Sequence, residues 1–255
     1  MRIVLCYSYL EPQTKDEALK AENFVTDFCQ AVLWTSGYEV SSRVLIRLAS
    51  GPWSATFDGD PTVLPTGQKL PVEVPKLSVA SLDERWRIQV GTSRVDVTWQ
   101  RIDDSGVISE EQFAETTMRT LNEYLRVSDD LIVSRMAFIT RRFTAINEPA
   151  KEIASYFMRD AILDGPLRRP NEVQINAHKV YTPAQLPTLN SWIRWRNGFV
   201  TTTREAVVTV EQDLNTLAES NQIFGTTEIA DFLSRAPSEA ARILSYYLSF
   251  PKVGE

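Results

Sequence analysis

Apolar and polar positions recur with two different periods along this chain, and the switches between them outline its elements. Residues 2–10, RIVLCYSYL, are rich in β-branched and aromatic side chains and predict a strand. Over 14–35 the apolar residues Leu19, Phe24, Phe28, Val32 and Leu33 return near helical spacing. Thr14 with Glu17 has the spacing of a capping box, Asp16 and Glu17 suit the positive end of a helix dipole, and Gly37 suits its end. This segment is therefore read as a helix. Short strands are expected at 43–49 and 53–57. Residues 58–82, broken by Pro61, Pro65, Pro71 and Pro75, read as one long loop.

The next segments are more regular. WRIQV (86–90) and RVDVTW (94–99) alternate and are joined by Gly-Thr-Ser, which predicts a hairpin with Gly91 supplying an unusual dihedral. Ser109 with Gln112 forms a capping box before a helix over 109–126, and 131–144 reads as a long central strand. A helix is expected at 147–162 with Pro149 in its first turn, then strands at 173–181, 189–201 and 204–214. The final helix, 226–248, would be capped by Thr226 or Thr227 and kinked or split at Pro237. Strands that follow one another without intervening helices argue for an α+β fold, with antiparallel sheet built from meanders and helices packed on one face. One domain over 1–255 is expected, and the order of elements allows two similar sub-halves, 1–165 and 166–255.

Composition narrows the chemistry. The 255 residues include one His and two Cys, with 33 acidic against 27 basic side chains, so a His-based metal centre has almost no material. Cys6 and Cys29 form no CxxC pair and read as free thiols of a reducing compartment. The apolar run at the N-terminus stops at Glu11, too short for a signal or a membrane span. A soluble, cytoplasmic protein that meets no membrane is expected. No phosphate-binding glycine loop, dinucleotide fingerprint or nucleophile elbow occurs. His178, in INAHKVY, sits on a strand and reads as a surface or packing residue. Asp58, Asp60, Glu73 and Lys76 could support a metal-dependent hydrolase, but their spacing and the intervening prolines argue for turn carboxylates. No catalytic residue, cofactor or metal is expected.

Charge changes the picture once more. Residues 131–210 carry 11 basic and 6 acidic side chains, between two acidic flanks. Within this basic middle lie Arg135, Arg141, Arg142, Arg168, Arg169, Trp192, Arg194, Trp195, Arg196 and Arg204. On a strand, Trp192, Arg194 and Arg196 share one face, and Ile193, Trp195 and Asn197 the other. Guanidinium forks and indole faces suit carboxylate-bearing protein surfaces or phosphates, and they suit internal pairing with the acidic segments equally. The candidate partner-binding set is Trp192, Arg194, Arg196, Arg141, Arg168 and Arg169.

WRIQVGTSRVDVTW (86–99) and SRMAFITRRFT (134–144), together with VVTVEQDL and TTEIADFLSRAPSEAARILSYYL later on, resemble a sporadically distributed, functionally uncharacterised bacterial family of similar length. The resemblance implies a bacterial cytoplasmic protein in a toxin-neutralising or phage-defence setting. That family has no assigned active site, so no residue role follows from it. The expected function is that of a non-enzymatic interaction protein: a partner, inhibitor or specificity subunit. The alternative is a protein that binds or acts on nucleic acid or nucleotides through the Arg/Trp strands.

Overall fold

The structure, a computed structural model, describes residues 19–36, 46, 56–64, 74–128, 131–158, 165, 170–200, 203–218 and 222–249. The strand expected at 2–10, that expected at 43–49 apart from Ile46, the Thr14–Glu17 cap, Cys6, Glu73, Arg168 and Arg169 lie outside these residues. Among the described residues are β1 (Val25–Ser36), β2 (Thr62–Val63), β3 (Leu77–Ala80), β4 (Trp86–Val90), β5 (Arg94–Gln100), α1 (Glu110–Val127), β6 (Ile132–Ala145), α2 (Pro149–Phe157), β7 (Gln174–Tyr181), β8 (Leu189–Phe199), β9 (Ala206–Thr216) and α3 (Thr226–Leu248). The strands make one antiparallel sheet in the order β2-β3-β4-β5-β1-β6-β9-β8-β7, and the α+β class expected from the sequence is present. No helix among the described residues is long and apolar enough to cross a membrane.

The largest departure from expectation is at 14–35. A strand, β1, occupies Val25–Ser36, and Leu19 and Phe24 reach the core around a short 3-10 turn at Ala21–Asn23. The segment carries both periods: Phe28 and Val32 fit a helix, while Cys29, Ala31, Leu33 and Thr35 are alternate positions of a strand and are all buried, as Val32 also is. Pairing with β5 on one side and β6 on the other decides between them, because a central strand satisfies its backbone on both edges. The stretch read as the loop 58–82 holds β2 and β3, and in β3 Leu77 and Val79 are buried. The hairpin of β4 and β5 forms as expected, but it is Gly106, in the turn before α1, that adopts the left-handed conformation (φ 62°).

The helix signals fared better. Ser109 caps α1: its hydroxyl accepts from the Gln112 N–H at 3.2 Å while the Gln112 side chain accepts from the Ser109 N–H at 2.8 Å. Gly225, rather than Thr226 or Thr227, precedes α3, and its N–H donates to Glu228 at 3.1 Å. The helix runs on through Pro237 instead of splitting there. Phe113, Leu121 and Tyr124 of α1 and Ile229, Phe232 and Leu233 of α3 share one core with Cys29, Ala31 and Leu33 of β1 and Phe138 of β6. A second core joins Ile153 and Ala154 of α2 and Leu244 of α3 to Trp195, Val208 and Val210. Cys29 is a buried free thiol.

Candidate functional site

Strand β8 sorts its side chains by period two. Ile193 and Trp195 are buried in the second core, whereas Trp192 and Arg194 are half-buried and Arg196 is exposed on the alternate positions. The register then fixes the neighbours. His178 of β7 lies opposite Trp192, with Asp213 of β9 on its other side, and Arg194 lies between Asn176 and Glu211. The His178 ring stacks on Trp192 with centroids 4.2 Å apart and planes 15° from parallel. The Arg194 guanidinium lies 5.4 Å from the Trp192 ring centroid, and its Nη1 donates to Glu211 Oε1 at 2.7 Å. An indole that touches both an imidazole and a guanidinium is held in a defined orientation at low entropic cost.

The row continues across the sheet. Asn190 pairs with His178 Nε2 and donates to Asn215 Oδ1 at 3.2 Å. Asn215 in turn donates to Asp213 at 2.9 Å and accepts from Arg135 Nη2 at 2.6 Å. The Arg135 guanidinium stands 4.4 Å from the Trp34 ring centroid. Beyond it, Gln30 donates to Asp96 at 2.8 Å, and Arg94 grips Asp96 with two bonds of 2.6 Å. One polar and aromatic row thus crosses β7, β8, β9, β6, β1 and β5. Burial pushes the Asp213 carboxyl above its ordinary value of 3.8, while the Asn215 bond and the charges of Arg194 and Arg135 pull it back.

The structure separates the six candidate residues. It brings Trp192, Arg194 and Arg196 together on one strand. Arg141 belongs elsewhere, and its expected place in a partner surface is corrected: it is 8% exposed, and its Nε and Nη2 donate to the Asp27 carboxylate at 3.0–3.1 Å beneath the Phe28 ring. The cause is local. The β1–β6 register shifts between Thr26 and Phe28, and the extra residue, Asp27, turns its carboxylate toward Arg141. The adjacent Arg142 points to the opposite side, donating to Glu110 Oε2 at 2.5 Å and to Gln212. Glu110 also accepts from Thr140 at 2.7 Å and Thr26 at 3.0 Å. Arg204 sits in a left-handed turn (φ 61°).

Two hollows flank the sheet. One, of about 280 Å3, lies between β7 and the end of α3 and is lined by Lys179, Tyr181, Ile243, Tyr246 and Tyr247 among others. At its side Tyr181 donates to Glu239 at 2.5 Å, and Arg242 clasps the same carboxylate at 2.7 and 2.8 Å. Burial pushes Glu239 up, but the bonds from Arg242 and Tyr181 outweigh it and hold the carboxyl below its ordinary value. The other hollow, of about 630 Å3, lies beside α1 and includes Asp58, whose Oδ1 accepts the Leu82 N–H at 2.7 Å. That bond ties the stretch before β2 to the connection between β3 and β4.

Sequence reading missed His178, Asn190, Glu211, Asp213 and the Trp34–Arg135 pair as members of the row. Their signal was strand alternation alone; which strands are neighbours had to come from the sheet order. The chain matches no family model and no curated protein.

Proposed function

We propose that this chain is a non-enzymatic interaction protein of the cytoplasm that binds a protein partner through the row around Trp192, Arg194 and Arg196. The observation that carries this reading is the His178–Trp192–Arg194 stack, its Trp192 and Arg194 half-buried and its His178 exposed, held in register on the outer strands of a wide sheet. Tryptophan and arginine held rigidly at the surface are the residue types that dominate protein interfaces. In this reading the three helices gather on one face of the sheet and leave the row on the other. The strands to either side of the β1–β6 pair then form two similar halves, divided before β6 and not at 165. Each has a long strand, a meander whose last strand returns to it, and a closing helix. The resemblance noted above gives the setting, a subunit or inhibitor within a toxin-neutralising or phage-defence system.

Binding of nucleic acid or nucleotides is the second reading, favoured by the stacked rings and by the exposed Arg196. Against it stands the pairing of the arginines: Arg194, Arg94 and Arg141 each hold a carboxylate, which leaves less positive charge for phosphates. The test is capture of partners from the native host by the wild-type protein and by Trp192→Ala and Arg194→Glu. A protein that is retained at moderate salt and lost with both variants supports the first reading. Recovery of nucleic acid with a steep salt dependence selects the second.

A further inference from the structure

We infer that the outer edge of β7 is the docking strand for an extended, acidic segment of the partner protein, which would add as a tenth strand to the sheet. This rests on the interaction reading above and names its mode. The two edges of the sheet differ. At one end β2 is two residues long, a short edge that offers little to pair with. At the other end β7 runs for eight residues, and its register with β8 is unbroken from Gln174 to Tyr181. It has no proline, and most of its residues are exposed. Among the described residues its one neighbour is β8, and alternate backbone N–H and C=O groups of such a strand point away from it, as β-strand addition requires.

Charge selects the occupant. β7 and β8 together contain Lys179, Arg194, Arg196 and His178 and neither Asp nor Glu. A second copy of this chain would set one edge that carries Lys179 and no carboxylate against another, which disfavours self-pairing, whereas carboxylates on an incoming strand would lie on the Lys179 side of the sheet. Side chains of that strand would alternate between two surfaces. One set, the carboxylates, would lie beside Lys179 and Arg242 at the hollow between β7 and the end of α3. The other set, aromatic or branched and apolar, would lie beside His178 and the Trp192 ring. The backbone ladder is the discriminating feature, because it recognises a peptide and not a phosphate chain.

The experiment uses the full chain and three synthetic probes: a nine-residue peptide alternating Glu with Val, Thr and Phe, its Lys-for-Glu counterpart, and the Glu peptide N-methylated at alternate residues. Binding is titrated, and amide hydrogen exchange is followed across 174–181. The expected result is protection of 174–181 by the Glu peptide, binding about tenfold tighter than that of the Lys peptide, a loss of about tenfold on Lys179→Glu, and loss of binding on N-methylation. Protection that is absent from 174–181, equal binding of the two charge types, or protection of 174–181 that rises with protein concentration without any peptide would each overturn the proposal, the last by assigning the edge to a second copy. If Trp192→Ala abolishes capture of the native partner while Lys179→Glu leaves it whole, edge pairing fails and the interaction reading stands. If neither variant alters capture, both fail.

Discussion

Two pairs of arginines, one at the centre of the sheet and one near its margin, carry the same local signal and meet opposite fates. Arg141 and Arg142 of β6 have strands on both sides and are 8% and 5% exposed, each fixed on a buried carboxylate. Arg194 and Arg196 of β8 lie one strand from the edge, where Arg194 is half-buried against Glu211 and Arg196 is exposed. A guanidinium taken out of water must be fully paired, so the central pair is part of the folding machinery. The marginal pair keeps access to solvent and therefore to a partner. The difference teaches that charge and period nominate a residue, and the place of its strand in the sheet decides its use.

The largest effect should come from breaking the centre. Arg142→Ala leaves Glu110 buried among Thr26 and Thr140 without its cation, and unfolding in denaturant should show a loss of about 3–5 kcal/mol. Arg141→Ala should cost a comparable amount by stranding Asp27, while Asp27→Asn with Arg141→Gln together should recover part of it. A loss under about 1 kcal/mol for either single variant would erase the contrast with the margin.

At the margin Arg194→Glu sets two carboxylates opposite one another across β8 and β9, but both positions reach solvent. The expected loss is roughly 1 kcal/mol, together with loss of the partner. Asp213 sharpens the comparison through pH. Its carboxyl is raised in the folded state, so the fold binds that proton more tightly than the unfolded chain does. Its ionisation therefore lowers stability as pH rises from 3.8 through the folded value. Asp213→Asn should be more stable than wild type at pH 7, and the advantage should vanish as pH falls below 3.8. An advantage independent of pH would place its origin outside this titration. Smallest of all, Arg196→Glu should shift stability by no more than about 0.5 kcal/mol in thermal melts, while weakening partner capture.

By itself the sequence determined the elements whose signals are local. Ser109 and Gln112 fixed the start of α1, because a capping box needs only four adjacent residues. The alternation in 86–99 and 189–199 set which side chains share a face, so Trp192, Arg194 and Arg196 were grouped correctly, apart from Trp195. The α+β class followed from strands in succession. Only the tertiary structure decided that Val25–Ser36 is a strand, since its residues satisfy both periods and the choice depends on β5 and β6 being there to pair with it. It alone decided that Arg141 faces Asp27, 114 positions away, and that His178 lies on Trp192. Contacts between strands distant in sequence leave no trace in either segment's own period. They exist only once the order of the sheet brings the strands side by side.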